Sequence, residues 1–132
     1  MKGLVRPWLK AVPWASVVAI NASLCQARKA LHKPASDGYD RTRVLWEQTQ
    51  PRDLHLKELL CFGQQCHRLA PFCFYNGNTF VTIVKTVMED ALKRLPPERA
   101  FVLRSIAGHI VAGTATDLEE KQLDKMLSEL ES

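Results

Sequence analysis

Along much of this chain hydrophobic side chains recur at intervals of three and four, the period of a helix with one buried face. Val17, Ile20, Leu24, Ala27 and Leu31 keep that spacing, and Pro13 suits the first turn of the helix they mark. Lys33-Pro34 ends it near His32, because a residue ahead of proline is pushed out of helical backbone. Pro34 to Asp40 reads as a loop with a turn at Asp37-Gly38. Thr42 to Gln50, carrying Val44, Leu45 and Trp46, suits either a short helix or an extended piece. Pro51 opens the next helix, with Asp53 favourable in its first turn. Leu56, Leu59, Leu60, Phe62, Cys66 and Leu69 make that helix apolar nearly all round, which places it at the centre of the core, and Pro71 stops it.

Phe72 to Val84 reads two ways. Phe-Cys-Phe-Tyr ahead of Asn76-Gly77 and a β-branched run is the pattern of a hairpin with a two-residue turn. Against that, Asn78 can cap a helix whose apolar face is Phe80, Ile83, Val84, Val87, Ala91 and Leu95. The helical period persists to Leu95, longer than a typical strand, and favours the helix. Pro96-Pro97 breaks and restarts the chain. Val102, Ile106 and Ile110 mark the next buried face, flanked by Phe101 and Leu103, and Gly113 closes that helix. Thr116 and Glu119 form a capping box for a last helix with Leu123, Met126, Leu127 and Leu130 as its apolar stripe. Asp117–Lys121 and Lys125–Glu129 add opposite charges four residues apart. The expected fold is all-α: a small irregular bundle of four to five helices, with a short hairpin or extended segment near 72–82 as the alternative element.

Composition narrows the class. A chain of 132 residues with 46% hydrophobic and 24% charged side chains suits one domain with its own core, over residues 1–132. The net charge of +4 is unevenly spread. The basic segment 1–36 holds six cations (Lys2, Arg6, Lys10, Arg28, Lys29 and Lys33) and no acid, whereas the acidic segment 117–132 holds six acids against Lys121 and Lys125. Such polarity steers encounters with anionic partners and permits head-to-tail or antiparallel self-association. Cys25, Cys61, Cys66 and Cys73 read as reduced thiols of a cytoplasmic protein, because three sit in apolar company and the chain exceeds the small disulfide scaffolds. Pro13 and Trp14 interrupt the short apolar stretch that would make the start a signal peptide, and no run approaches the ~20 apolar residues of a spanning helix.

Candidate chemistry is thin. Cys61, Cys66, His67 and Cys73 are zinc-type residues, but zinc ligands come in closer pairs, and Cys61 and Cys66, five apart on the expected helix, point in different directions. Ser105 and His109 lie four apart without a third group to orient the base. Gly108 and Gly113 follow no strand and build no phosphate loop. Tyr75, Asn76 and Asn78, around Gly77, form a polar turn that suits recognition, or a helix start offering N–H groups to an anion. Trp8 and Trp14 among the basic residues suit stacking on unpaired bases. They equally suit capping the core, and Trp8 with Leu4, Val5 and Leu9, beside Lys2, Arg6 and Lys10, suits an amphipathic membrane anchor. Pro97 to Leu130 has a helix–turn–helix outline, but its acidic second helix is wrong for a DNA groove.

No catalytic, metal or cofactor motif emerges. The expected function is a non-enzymatic interaction or regulatory module that binds another protein or a second copy of itself. The alternative is a nucleic-acid-binding accessory protein. The expected binding residues are Lys2, Arg6, Trp8, Lys10, Arg28, Lys29 and Lys33, with Tyr75, Asn76 and Asn78.

Overall fold

The helix that is apolar nearly all round, α3 (Leu56–Leu69), is central in a computed structural model that describes residues 4–131. Packed against it are α4 (Asn76–Leu92) and α5 (Pro97–Ala112). Leu59 and Leu60 of α3 are fully buried, each such side chain contributing about 2 kcal/mol by leaving water. Gly63 lets the three helices close up: a Cβ there would lie 3.0 Å from Val111 and 3.1 Å from Val84. Outside this centre, α1 (Trp14–Ala27) lies on α4, α2 (Tyr39–Thr49) on α3, and α6 (Asp117–Glu131) on α5. The fold is an all-α bundle, six helices among the described residues. It also carries one small ladder of β1 (Val5–Arg6) and β2 (Leu54–His55), antiparallel with Val5 opposite His55.

The N-terminal hook ahead of α1 belongs to the core. Leu4, Trp8 and Leu9 are buried, and the Trp8 indole N–H donates to the Leu54 carbonyl at 2.8 Å. Trp46 donates to the Val12 carbonyl at 2.9 Å, and Trp14 packs among Tyr39, Trp46 and Phe72. Of the apolar residues expected to form a membrane anchor, Leu4, Trp8 and Leu9 are thus enclosed and Val5 alone is exposed, and the indoles of Trp8 and Trp14 are buried.

Several boundaries differ from the sequence expectation, each for a local reason. The first helix stops at Ala27, not near His32. Lys29 turns left-handed (φ 56°), its N–H donating to Gln26 and that of Ala30 to Cys25, a Schellman ending without glycine. Leu31 is consequently exposed. Thr42 to Gln50 resolves as helix. The third helix starts at Leu56, not Pro51, because Leu54 and His55 pair with β1. His55 then acts as its cap: its Nδ1 accepts from the Lys57 N–H at 3.2 Å, while Glu58 accepts from the His55 N–H at 2.9 Å. Asn76-Gly77 forms the first turn of α4, and no hairpin forms among the described residues near 72–82. Phe72 instead makes a single antiparallel bridge to Pro34.

The last two helices follow expectation more closely. Gly113 (φ 80°) closes α5. Thr116 and Glu119 cap α6 reciprocally, both bonds 3.1 Å. The acids of α6 also reach across: Asp124 pairs with Lys57 at 2.6 Å and Glu129 with Arg99. Phe101, expected beside the buried face of α5, is 73% exposed.

Glu119 joins α5 and α6 by accepting from His109 Nδ1 at 2.5 Å as well as from Thr116. The histidine bond, then the backbone bond, hold its carboxyl below the ordinary value of 4.5. A depressed carboxyl stabilises the fold fully above the ordinary glutamate range, and that contribution is lost as pH falls through the lower, folded value. Glu119→Gln is accordingly expected to flatten the acid limb of a stability–pH curve measured by urea unfolding. An unchanged limb would remove Glu119 from the acid sensitivity.

Candidate functional site

Two groups of residues far apart in sequence meet on one surface. Residues 28–35 run antiparallel to residues 71–75: the Cys73 N–H donates to the Lys33 carbonyl at 3.0 Å, and the Ala35 N–H to the Pro71 carbonyl at 2.8 Å. The Arg28 guanidinium lies 5.1 Å from the centre of the Tyr75 ring, within cation–π range. Arg28, Lys29 and Lys33 are exposed, as is Leu31, and Phe74, next to the Tyr75 ring, is 49% exposed.

A buried amide supports this seam from beneath. Asn21, fully enclosed in α1, donates through Nδ2 to the Phe74 carbonyl at 2.8 Å and to Thr79 Oγ1 at 3.0 Å. Its Oδ1 must then be the acceptor, facing His32 Nδ1 at 2.8 Å and Cys25 Sγ at 3.6 Å. One side chain thereby ties α1, the 28–35 loop, the 71–75 loop and α4 together.

Alongside lies an open cleft of about 640 Å³, lined in part by His67, Ala70, Tyr75, Gly77 and Asn78. His67 Nδ1 bonds the Val111 carbonyl at 3.0 Å, so it carries the proton. The rest of the ring lies against Gly77, where an added Cβ would meet Nε2 at 3.2 Å. Asn76 spends its amide locally: Oδ1 accepts from the Phe72 N–H at 2.9 Å and Nδ2 donates to the Phe72 carbonyl at 2.7 Å. Asn78 is exposed.

Strain and charge both gather here. Lys29 (φ 56°), Ala70 (φ 50°) and Tyr75 (φ 60°) are the left-handed non-glycine residues among those described, and all three border the seam or its cleft. Each costs about 1 kcal/mol or more, and such costs tend to persist where a conformation is needed. The seam is also built from two acid-free stretches, 1–36 and 59–88. Elsewhere Arg6, Arg43, Arg99 and Arg104 face Asp90, Glu47, Glu129 and Glu89. Arg28, Lys29 and Lys33 enter no salt bridge among the described residues.

The other expected binding residues lie apart from the seam. Arg6 pairs with Asp90 and covers the Trp8 ring at 4.7 Å, and the Lys10 carbonyl accepts from Gln50 at 3.2 Å. Lys2 lies outside the described residues. Phe74 and Leu31 were not singled out by the sequence, where nothing distinguishes Phe74 from its buried neighbour Phe72 and where Leu31 completes an apolar stripe.

Other chemistry does not converge. Cys66 is buried and its thiol is pushed up by desolvation, so it is a poor thiolate. Cys61 and Cys73 are exposed, and among the described residues no three His, Cys, Asp or Glu side chains are grouped to hold a metal. His109 is engaged by Glu119 rather than Ser105. A cleft of about 520 Å³ between α2 and α3, lined by Asp40, Arg41 and Val44 among others, mixes charge signs without a cluster. No described helix is long and apolar enough to cross a membrane. No family model, curated protein or solved structure matches this chain.

Proposed function

We propose that this protein is a non-catalytic binding module that takes an anionic partner on the seam between residues 28–33 and 72–78. The observation that carries this reading is Arg28 held over Tyr75, with Lys29 and Lys33 beside it and no acid in either contributing stretch. Local cations free of carboxylates set up a positive field that raises the encounter rate with anions. On this reading the last three cations of the basic first third form the working surface, while Arg6 faces Asp90 away from the seam.

The test is the triple variant Arg28→Gln, Lys29→Gln, Lys33→Gln on immobilised heparin. All three side chains are exposed, so the helical circular dichroism and the melting temperature should stay close to the parent's. The variant is expected to elute at clearly lower salt. Elution at the parent's salt concentration would show that the seam is not the working surface.

A further inference from the structure

We infer that the anionic partner on this seam is a single-stranded nucleic acid, which rests on the reading of the seam as the binding surface. The deciding feature is an exposed aromatic ring, Phe74, next to the Tyr75 ring that Arg28 covers. Phe74 presents a half-exposed ring, tilted 44° to Tyr75 with the centres 6.4 Å apart, and Arg28 lies over Tyr75. A single strand offers the matching groups: phosphates for Arg28, Lys29 and Lys33, and unpaired bases whose flat faces can stack on Phe74. A duplex keeps those faces covered by its own neighbours. An acidic peptide satisfies the cations but leaves Phe74 without a stacking partner.

Phe74 also makes a clean probe. Its carbonyl, not its ring, is what Asn21 holds, so truncating the side chain leaves the buried support in place.

The experiment is fluorescence anisotropy of a labelled oligothymidylate or oligouridylate of about twelve nucleotides, a length within common single-strand site sizes. The competitors are the same strand annealed to its complement, polyglutamate, and vesicles of mixed phosphatidylserine and phosphatidylcholine. We expect the single strand, with either sugar, to bind tighter than every competitor. Affinity should fall with salt at a log–log slope of about −2, as three phosphate contacts require. The triple glutamine variant should remove most of that slope. Phe74→Ala should weaken binding about tenfold while leaving the slope intact, because it removes stacking and no charge.

Equal binding of single strand and duplex, an unaffected Phe74→Ala variant, or preference for polyglutamate or vesicles would overturn the nucleic-acid inference while leaving an anion-binding seam. A dimer at low salt that the triple variant dissolves would instead assign the seam to the acidic α6 of a second copy, again overturning it. If the triple variant binds every polyanion as the parent does, the proposed surface fails along with the inference.

Discussion

Replacing Gly38 by alanine is expected to cost the fold about 3 kcal/mol, the upper end of what overpacking commonly costs. The reason is distance alone. Gly38 has an ordinary right-handed backbone, with φ −92° and ψ −26°, so no dihedral demands glycine. An added Cβ would sit 2.1 Å from the Leu69 carbonyl oxygen and 2.4 Å from that of Ala70. Both obstacles are backbone atoms at the end of α3, which cannot swing aside as a flexible side chain would. Nor can Gly38 retreat easily, because its own carbonyl accepts from the Thr42 N–H at 3.0 Å and from the buried Thr42 hydroxyl at 2.7 Å. Urea unfolding should show a lower midpoint with an unchanged slope, the sign of lost stability rather than altered compactness. An unshifted midpoint would mean that the two segments can part at no cost. The sequence points to Gly38 as a turn residue, and on that reasoning asparagine would serve as well. Close approach predicts that asparagine fails like alanine.

The same contrast runs through the rest of the chain. What the sequence shows clearly are elements whose ends carry the common residues. Gly113 after α5 and Thr116 with Glu119 ahead of α6 are visible without a structure. What it hides are the same motifs built from uncommon residues. The ending of α1 has the bonding of a Schellman motif, but Lys29 stands where glycine is expected, so the apolar period runs on misleadingly to Leu31. His55 caps α3 with a ring nitrogen in place of a hydroxyl, and Pro51 looks like the start instead. Asn76-Gly77 carries hairpin residues in a helical turn. There the left-handed Tyr75 and the Asn76 side chain bonded to Phe72 set the direction of α4 before any strand pairing is possible.

The candidate surface follows that pattern at longer range. Arg28, Lys29, Lys33 and Tyr75 each stand out as residues, but their meeting does not. Arg28 and Tyr75 are brought together by loops bridged through Pro34 and Phe72, and no local periodicity encodes that pairing. Trp8 is buried, for the converse reason. Its place in a basic segment suggests a free ring, while its indole N–H is held by the carbonyl of Leu54, the residue paired with Arg6 in the other strand.

Asn21→Ala is expected to destabilise the protein by about 3 kcal/mol and to loosen the binding seam without touching its outer face. Asn21 is fully buried, and its loss would leave the Phe74 carbonyl and His32 Nδ1 without the partners they have now. Unsatisfied buried groups cost about 1–3 kcal/mol each, and the vacated space adds a cavity. Thr79 suffers less, because its hydroxyl still donates to the Tyr75 carbonyl at 2.7 Å. Asn21→Asp is the informative companion. It keeps an acceptor for His32 but removes the amide donor and sets carboxylate oxygen against the Phe74 carbonyl, so it should not rescue stability. Hydrogen exchange separates local from global effects: the Ala35 and Cys73 amides, which close the seam, should lose more protection than the amides of α3. Uniform loss across both would make Asn21 an ordinary core residue. Protection lost first at the seam would make it a positioning residue, with any fall in affinity arising from a displaced Phe74 and Tyr75.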